Sequence, residues 1–360
     1  MKRFFAFLLA LMLLLSGCGT QPSNPTVPSN TAPTQPAVTM TVHYIDVGQA
    51  DSILLECDGE YMLIDGGNVP DGNDVVEYLL DVGVEELEAV VATHAHEDHV
   101  GGLSDVLRTF PTEAVYAPTR TYSSACFDQF VYYTDQQDLT IQIPQPGDTI
   151  DLGDATVTVL GPVKSYADTN NTSIVLLAQF MENRFLFTGD MEIRAETDML
   201  DFGADVKADV LKVGHHGSDT STGYRFLREV APTYAVISVG EGNTYQHPHE
   251  APMSRLEDAE VTVYRTDELG TIVAVSDGKN ITFSWSKKDA SPDVPDQNTS
   301  KPNETPKETA PAQLHIGNVN SKIFHLPSCS SLPSEKNQIQ FQSYDEAIKA
   351  GYRPCSRCLQ

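Results

Sequence analysis

Three histidines and an aspartate stand within six positions in His94-Ala95-His96-Glu97-Asp98-His99, a density of metal-type side chains that no fold needs for its own stability. The motif follows the apolar run 87–92, which reads as a short buried strand. It precedes Gly101-Gly102 and a helical pattern over 103–110. The candidate ligands therefore sit on a strand-to-helix turn, the kind of loop on a rigid scaffold where chemistry is usually carried. The alternation of His94 and His96 lets both imidazoles reach one metal ion, while Asp98 and His99 point to a second, neighbouring position: a two-metal layout. Surface or capping histidines beside an acidic turn are the alternative, and the density of the motif argues against it.

The rest of the first half alternates short β-rich runs with turns: 40–47, 52–57 and 61–64, then Asp65-Gly66-Gly67 and an amphipathic helical pattern over 73–82. After the metal turn come a strand at 114–116, a helical stretch around 123–134 and an alternating hairpin pair over 149–160. The second half repeats the logic, with strands at 173–180, 184–187, 208–213 and 234–239 and helices at 192–201, 222–230 and 249–259. Two halves of strands leading into helices predict an α/β (α+β) chain folded as an αββα sandwich with the site at one edge.

Strand 184–187 ends in Thr188-Gly189-Asp190, which aims a carboxylate out of the sheet end. Asp190 is read as the residue bridging the metals, the alternative being a turn Asp that starts the next helix. Strand 208–213 delivers His215 and His216. Adjacent side chains of extended chain point to opposite sides, so one of the pair is expected to face the metals. His215 is favoured, as an acid or charge stabiliser at the attacked or leaving oxygen, with His216 orienting it. His247, on the loop after strand 234–239, is read as the last ligand of the second metal, and His249 as a cap of the next helix. The expected metal set is thus His94, His96, Asp98, His99, Asp190 and His247, with His215, His216 and Asp98 as the catalytic group. Asp46, Asp51 and Asp65 are expected to hydrogen-bond ligating histidines from behind, turn chemistry being the alternative for Asp51.

Together with His43-Tyr44-Ile45-Asp46-Val47-Gly48-Gln49-Ala50-Asp51-Ser52, Leu211-Lys212-Val213-Gly214-His215-His216-Gly217-Ser218 and His247-Pro248-His249, the histidine motif resembles the metallo-β-lactamase superfamily over residues 40–285. The resemblance is narrower to the extracellular hydrolase domain of the competence DNA-uptake protein ComEC and its free-standing relatives. It implies a metal-dependent hydrolase in which a hydroxide bridging two divalent ions, zinc or manganese, attacks an ester-type centre. The ComEC likeness favours a phosphodiesterase or nuclease, acting on DNA or on phosphorylcholine-type surface esters. A hydrolase of small or wall-attached esters and a non-catalytic surface binding module are the alternatives. Common superfamily hydrolases place a third first-site histidine before the Thr-Gly-Asp, yet no histidine lies between His99 and Asp190. Asp168-Thr169-Asn170-Asn171-Thr172-Ser173 occupies that place, so Asn171 or a neighbour stands in. Neutral amides suit harder cations such as manganese better than zinc, and lactam hydrolysis becomes the weaker expectation.

Of the formal net charge of −27, residues 40–285 hold 12 Lys and Arg against 42 Asp and Glu. They offer no basic footprint for DNA, and bound divalent metals would reverse the sign only locally. At the N-terminus Lys2-Arg3, the apolar run 4–15 and Leu15-Ser16-Gly17-Cys18 have the order of a signal peptide, with an apolar run too short to span a bilayer. The end of this segment resembles a bacterial lipobox, which implies acylation of Cys18; ordinary secretion is the alternative. The expected organisation is a signal peptide over 1–18, a Pro- and Ser/Thr-rich tether over 19–39, the hydrolase domain over 40–286, a second linker over 287–311 and a small module over 312–360. An exported monomer on the outer face of the cell membrane follows, held by its lipid alone, with no protein partner inferred.

In the small module Phe324-His325-Leu326-Pro327-Ser328-Cys329 and Pro354-Cys355-Ser356-Arg357-Cys358 supply His325, Cys329, Cys355 and Cys358 for a closed tetrahedral structural zinc site. So short a unit buries little apolar surface, and a metal would stabilise it. With Phe341-Gln342-Ser343-Tyr344-Asp345-Glu346-Ala347 and Gly351-Tyr352-Arg353-Pro354-Cys355, the segment resembles the metal-binding domain of the Ada DNA-repair methyltransferase. That family reads DNA methylphosphotriesters through a reactive cysteine; His325 replaces one of its four cysteines here, which speaks against methyl transfer. Disulfides, with Cys57 or Cys126 as outside partners, are the alternative. Arg353 and Arg357 either touch phosphate or lie exposed.

Overall fold

The central strands carry almost unbroken apolar runs, such as 53–55, 175–178 and 235–237, so each has two faces to bury and the sheets must be covered on both sides. The computed structural model describes residues 38–288, 290–293 and, within 314–355, all but 320, 321, 328, 330, 331, 334, 342 and 343. The segment read as a signal peptide, with Cys18, nearly all of the expected tether and most of the expected second linker lie outside these residues. The chain divides into two units, the first ending at Pro295 and the second beginning at Asp296.

In the first unit, one sheet holds β1 (Met40–Tyr44), β2 (Ser52–Cys57), β3 (Glu60–Gly66), β4 (Leu87–Val91) and β5 (Thr112–Tyr116). The other holds β6 (Thr149–Leu152), β7 (Ala155–Gly161), β8 (Val175–Phe180), β9 (Asn183–Phe187), β10 (Val210–Lys212), β11 (Tyr234–Ile237) and β12 (Thr262–Arg265). The chain then returns to the first sheet with β13 (Ile272–Ser276) and β14 (Ile281–Trp285), giving the orders β14-β13-β1-β2-β3-β4-β5 and β12-β11-β10-β9-β8-β7-β6. Ile53, Leu55 and Cys57 of β2 join Phe185 and Phe187 of β9 in the layer between the sheets. Leu54 turns instead towards α1 (Gly72–Asp81), α3 (Leu103–Thr109) and α4 (Ala125–Gln136), and Leu186 towards α5 (Ile193–Phe202), α6 (Tyr224–Val230) and α7 (Glu250–Asp258); the short α2 (Glu97–Val100) carries part of the histidine motif. The layering is the expected αββα sandwich.

Three strands of this unit went unread in the sequence. β12 extends the parallel run β9-β10-β11, and β13 and β14 complete the first sheet by pairing β13 with β1, with Val42 opposite Ala274. β3-β4-β5 and β9-β10-β11-β12 run parallel, so loops from both sheets gather beyond their carboxyl ends, where open α/β sheets carry their sites. In the second unit β15 (His315–Asn318), β16 (Ile323–His325), β17 (Gln338–Phe341) and β18 (Arg353–Pro354) form a sheet of order β17-β15-β16-β18 over a core of Phe324, Phe341, Ala347 and Tyr352.

Candidate metal centre

β4 stops at Val91, and the motif turns out of the sheet with His96 at the N-cap of α2. Its glycines permit the packing: a Cβ on Gly102 would meet the Gly66 carbonyl oxygen at 2.1 Å, and one on Gly101 the Val69 nitrogen at 2.4 Å. Across the sandwich, β9 and β10 run side by side with Phe187 level with Lys212, so Asp190 and His215 follow their strands at the same distance.

Asp98, His99, Asp190 and His216 present ligand atoms all within 4.8 Å of one another. Asp190 Oδ1 lies 3.3 Å from His99 Nε2 and 3.6 Å from His216 Nε2, and Asp98 Oδ2 is 3.4 Å from His216 Nε2. The other oxygen, Oδ2, faces a second group: His94 Nε2 at 3.8 Å and His215 Nε2 at 3.6 Å, with His96 Nδ1 3.0 Å from His94 Nε2. One carboxylate spans two neighbouring clusters. His99 Nε2, His216 Nε2 and Asp190 Oδ1 are buried with no hydrogen-bond partner among the described residues. Leaving such atoms unmatched costs about 1–3 kcal/mol each, and these three converge on one point. The nitrogen and carboxylate donors fit a divalent cation of the zinc or manganese type.

Burial opposes a proton on His99 and His216, yet Asp190, with Asp65 beside one ring and Asp51 beside the other, outweighs it. His99 is held well above the ordinary imidazole value and His216 up to about 10. The field that favours a proton there favours any cation. His94 goes the other way: burial, then the neighbouring His99, pushes its ring well below the usual value and keeps one ring nitrogen unprotonated.

Behind this group, Asp65 accepts from Thr93 N and Oγ1, both at 2.7 Å, and from His99 Nδ1 at 2.8 Å, which turns His99 Nε2 towards the cluster. His216 Nδ1 donates to the Ser238 carbonyl at 2.9 Å with Asp51 Oδ1 at 3.4 Å. Asp51 Oδ2 in turn pairs with the buried Lys212 ammonium at 2.9 Å. Asp46 is exposed and accepts from Gly48 N–H; it props its own turn rather than a histidine.

The geometry changes several assignments. His215 and His216 lie in a turn with φ of 51° and 52°, not in extended chain, so both rings swing towards Asp190, one to each oxygen. His216 therefore joins the four-residue group in which His247 was expected. His247 stands at the rim, its Nδ1 3.3 Å from Gln49 Nε2 and its ring 5.7 Å from that of His215; burial, then His216, lowers its pKa to about 4. His249 occupies the N-cap position of α7 without capping it: its Nδ1 accepts from Asp219 N–H and its Nε2 donates to the Tyr245 carbonyl. Of the two asparagines, Asn171 is spent on Glu192 and Asp168. Asn170 lines the cavity, with its Nδ2 3.5 Å from His215 Nε2 and its buried Oδ1 without a hydrogen-bond partner among the described residues. That cavity, of about 330 Å³, lies over His96, Asp98, Asp190 and His215, with Gln49, Tyr245 and His247 at its rim.

In the second unit His325, Cys329 and Cys355 present ligand atoms within 4.8 Å of one another, His325 Nδ1 standing 3.4 Å from Cys329 Sγ. Cys358 lies outside the described residues, as does Arg357; Arg353 is exposed on β18. Cys57 and Cys126 are unbridged thiols in the cores of the first unit.

Residues 305–360 match the metal binding domain of Ada. "ComE operon protein 3" of Bacillus subtilis is 30% identical over 250 residues, 64% of this chain and 32% of that protein. "Recombination protein 2" of Haemophilus influenzae is 31% identical over 244 residues, 65% of this chain and 28% of that protein. The chain thus spans about a third of the length of these curated relatives. Among solved structures the metallo-beta-lactamase fold protein YhfI of Bacillus subtilis superposes with a TM-score of 0.45 at 13% identity, covering 68% of this chain and 100% of that one. Residues 45–241 match the metallo-beta-lactamase superfamily, and the chain belongs to that superfamily as a metal-dependent hydrolase.

Proposed function

We propose that the hydrolase domain is a phosphodiesterase that holds two divalent ions, one among Asp98, His99, Asp190 and His216 and one beside His94, His96 and Asp190. The observation that carries this reading is Asp190, whose two oxygens face the two histidine groups separately. Bound there, divalent cations supply Lewis acidity to a phosphoryl oxygen and acidify water. The protein's own part is positional: Asp65 and Ser238 fix two imidazole tautomers. His215, 23% exposed and braced by Thr220 Oγ1 at 3.1 Å, is the proton donor to the departing oxygen, a role His216 gives up by being buried in the ligand group. The amide oxygen of Asn170, in place of a third histidine, favours manganese over zinc.

Purified protein with manganese or zinc, offered bis(p-nitrophenyl) phosphate, single-stranded DNA, a phosphorylcholine ester and a chromogenic lactam, tests the reading. Manganese-stimulated phosphodiester cleavage is expected, reduced about 10²-fold or more in His215→Ala with metal content retained. Lactam turnover with inert phosphodiesters would overturn it.

Export and lipid anchoring through Cys18 are proposed from the lipobox; among the described residues no helix is long and apolar enough to cross a membrane. Processing that globomycin blocks, and detergent-phase partitioning that Cys18→Ala abolishes, are the expected results. Equal release of wild type and variant would end the proposal. The C-terminal unit is proposed to be closed by one structural zinc on His325, Cys329, Cys355 and Cys358.

A further inference from the structure

None of the residues lining the cavity over the histidine groups is Lys or Arg, and the domain around it carries 42 acidic against 12 basic residues. A phosphodiester bound there finds no cationic side chain for its non-reacting parts, so recognition beyond the reacting phosphate must come from uncharged surface. The rim supplies one such surface. Tyr245 is 64% exposed, and its ring stacks on His247 at 5.6 Å between centroids and 25° between planes. An exposed aromatic of this size is held in place by a built loop: Asn243 Nδ2 donates to the carbonyls of Gly240 and His247, and Asn243 Oδ1 accepts from His247 N–H. Gln49 ties the loop to the first sheet, its Oε1 accepting from Gly240 N–H while its Nε2 meets His247 Nδ1. The ring rests on His247, lines the cavity and keeps most of its surface exposed to solvent.

We propose that Tyr245 is a stacking platform for a nucleobase adjacent to the scissile bond, so that the substrate class is a short nucleotidyl phosphodiester; this rests on the phosphodiesterase reading above. Stacking needs no cation and works for any base, because every base has a π-face. The acidic surface selects against long strands, whose affinity comes from cationic contacts to phosphates.

The test compares thymidine 5′-(p-nitrophenyl phosphate) with methyl p-nitrophenyl phosphate, which share a leaving group and differ by the nucleoside, on the full chain loaded with manganese. In Tyr245→Ala the ratio of kcat/KM for the two esters is expected to fall about tenfold, through KM of the nucleotide ester, with Tyr245→Phe restoring it. At low salt a thymidine dinucleotide is expected to be cleaved with kcat/KM at least equal to that of a twenty-residue oligothymidylate. An equal loss on both esters, showing that Tyr245 acts only through His247, overturns the proposal, as does a preference for the long strand. If neither ester is cleaved by the wild type, the phosphodiesterase reading fails by itself. Calorimetry with thymidine 5′-monophosphate then decides the platform, a Kd unchanged in Tyr245→Ala ruling it out.

Discussion

Asp190→Asn is expected to lose both metal ions and to lower hydrolysis by on the order of 10³-fold, the scale on which removal of a single preorganised electrostatic stabiliser is felt. The substitution keeps the volume and removes the charge. Asp190 Oδ1 serves His99 and His216 while Oδ2 serves His94 and His215, so both clusters lose their shared anion at once. Asp98 touches one cluster only, and Asp98→Ala is expected to remove one ion and leave the other. Asp65→Asn, acting through the Nδ1 side of His99, should weaken metal affinity about 10–100-fold without abolishing binding. Metal content after dialysis, measured with circular dichroism to confirm folding, ranks the three. Two retained equivalents in Asp190→Asn would show that the carboxylate spans nothing.

Much of this site was legible because its residues are close in sequence or end a recognisable strand. The histidine motif places four donors on one turn, and the apolar runs before Thr188 and before Val213 mark the strand ends that carry Asp190 and the His215-His216 pair. Side-chain direction within that pair was not legible, because it depends on a left-handed turn. The turn closes on Gly217, at φ +82°, where a Cβ would meet Pro248 Cβ at 2.6 Å, a contact between segments about thirty residues apart in the chain. Likewise Asn170 and Asn171 are equivalent as letters, and only the positions of Glu192 and Asp168 decide which amide is free to line the cavity. β12 and β13 went unread for a related reason: their pairing with β11 and β1 is long-range, and short runs such as Thr262–Arg265 carry little pattern of their own, while β14 is the edge strand that pairs only with β13.

Least legible of all was Lys212, the last residue of β10, which shares a strand face with Val210 in the layer between the sheets and is fully buried. By period alone it occupies an apolar position. Its ammonium is matched by Asp51 Oδ2 at 2.9 Å and by the Val213 carbonyl at 2.9 Å, so the ion pair ties the β1–β2 loop of one sheet to a strand of the other beneath the metal ligands. Burial alone would raise the Asp51 carboxyl, but the Lys212 ammonium and then the His216 ring hold it well below the usual carboxylate range. Lys212→Met leaves that carboxylate buried without its cation and is expected to destabilise the hydrolase domain by about 3–5 kcal/mol, roughly 10 °C in melting temperature for a domain of this size. Because Asp51 keeps its charge above the ordinary carboxylate range in the wild type, its stabilisation is complete at neutral pH and is lost only as pH falls through its depressed pKa. In the variant the carboxyl is instead relieved by protonation, so the stability gap between the two proteins should narrow on acidification. Adding Asp51→Asn to Lys212→Met should recover more than half of the lost stability, since the second change removes the unpaired charge. Metal affinity at the His216 side should stay low in that double variant, because the carboxylate behind the ring is gone. Thermal melts of the four proteins of this cycle at pH 7 and pH 5 settle the matter: simple additivity of the two changes would mean that the pair does not act as a pair.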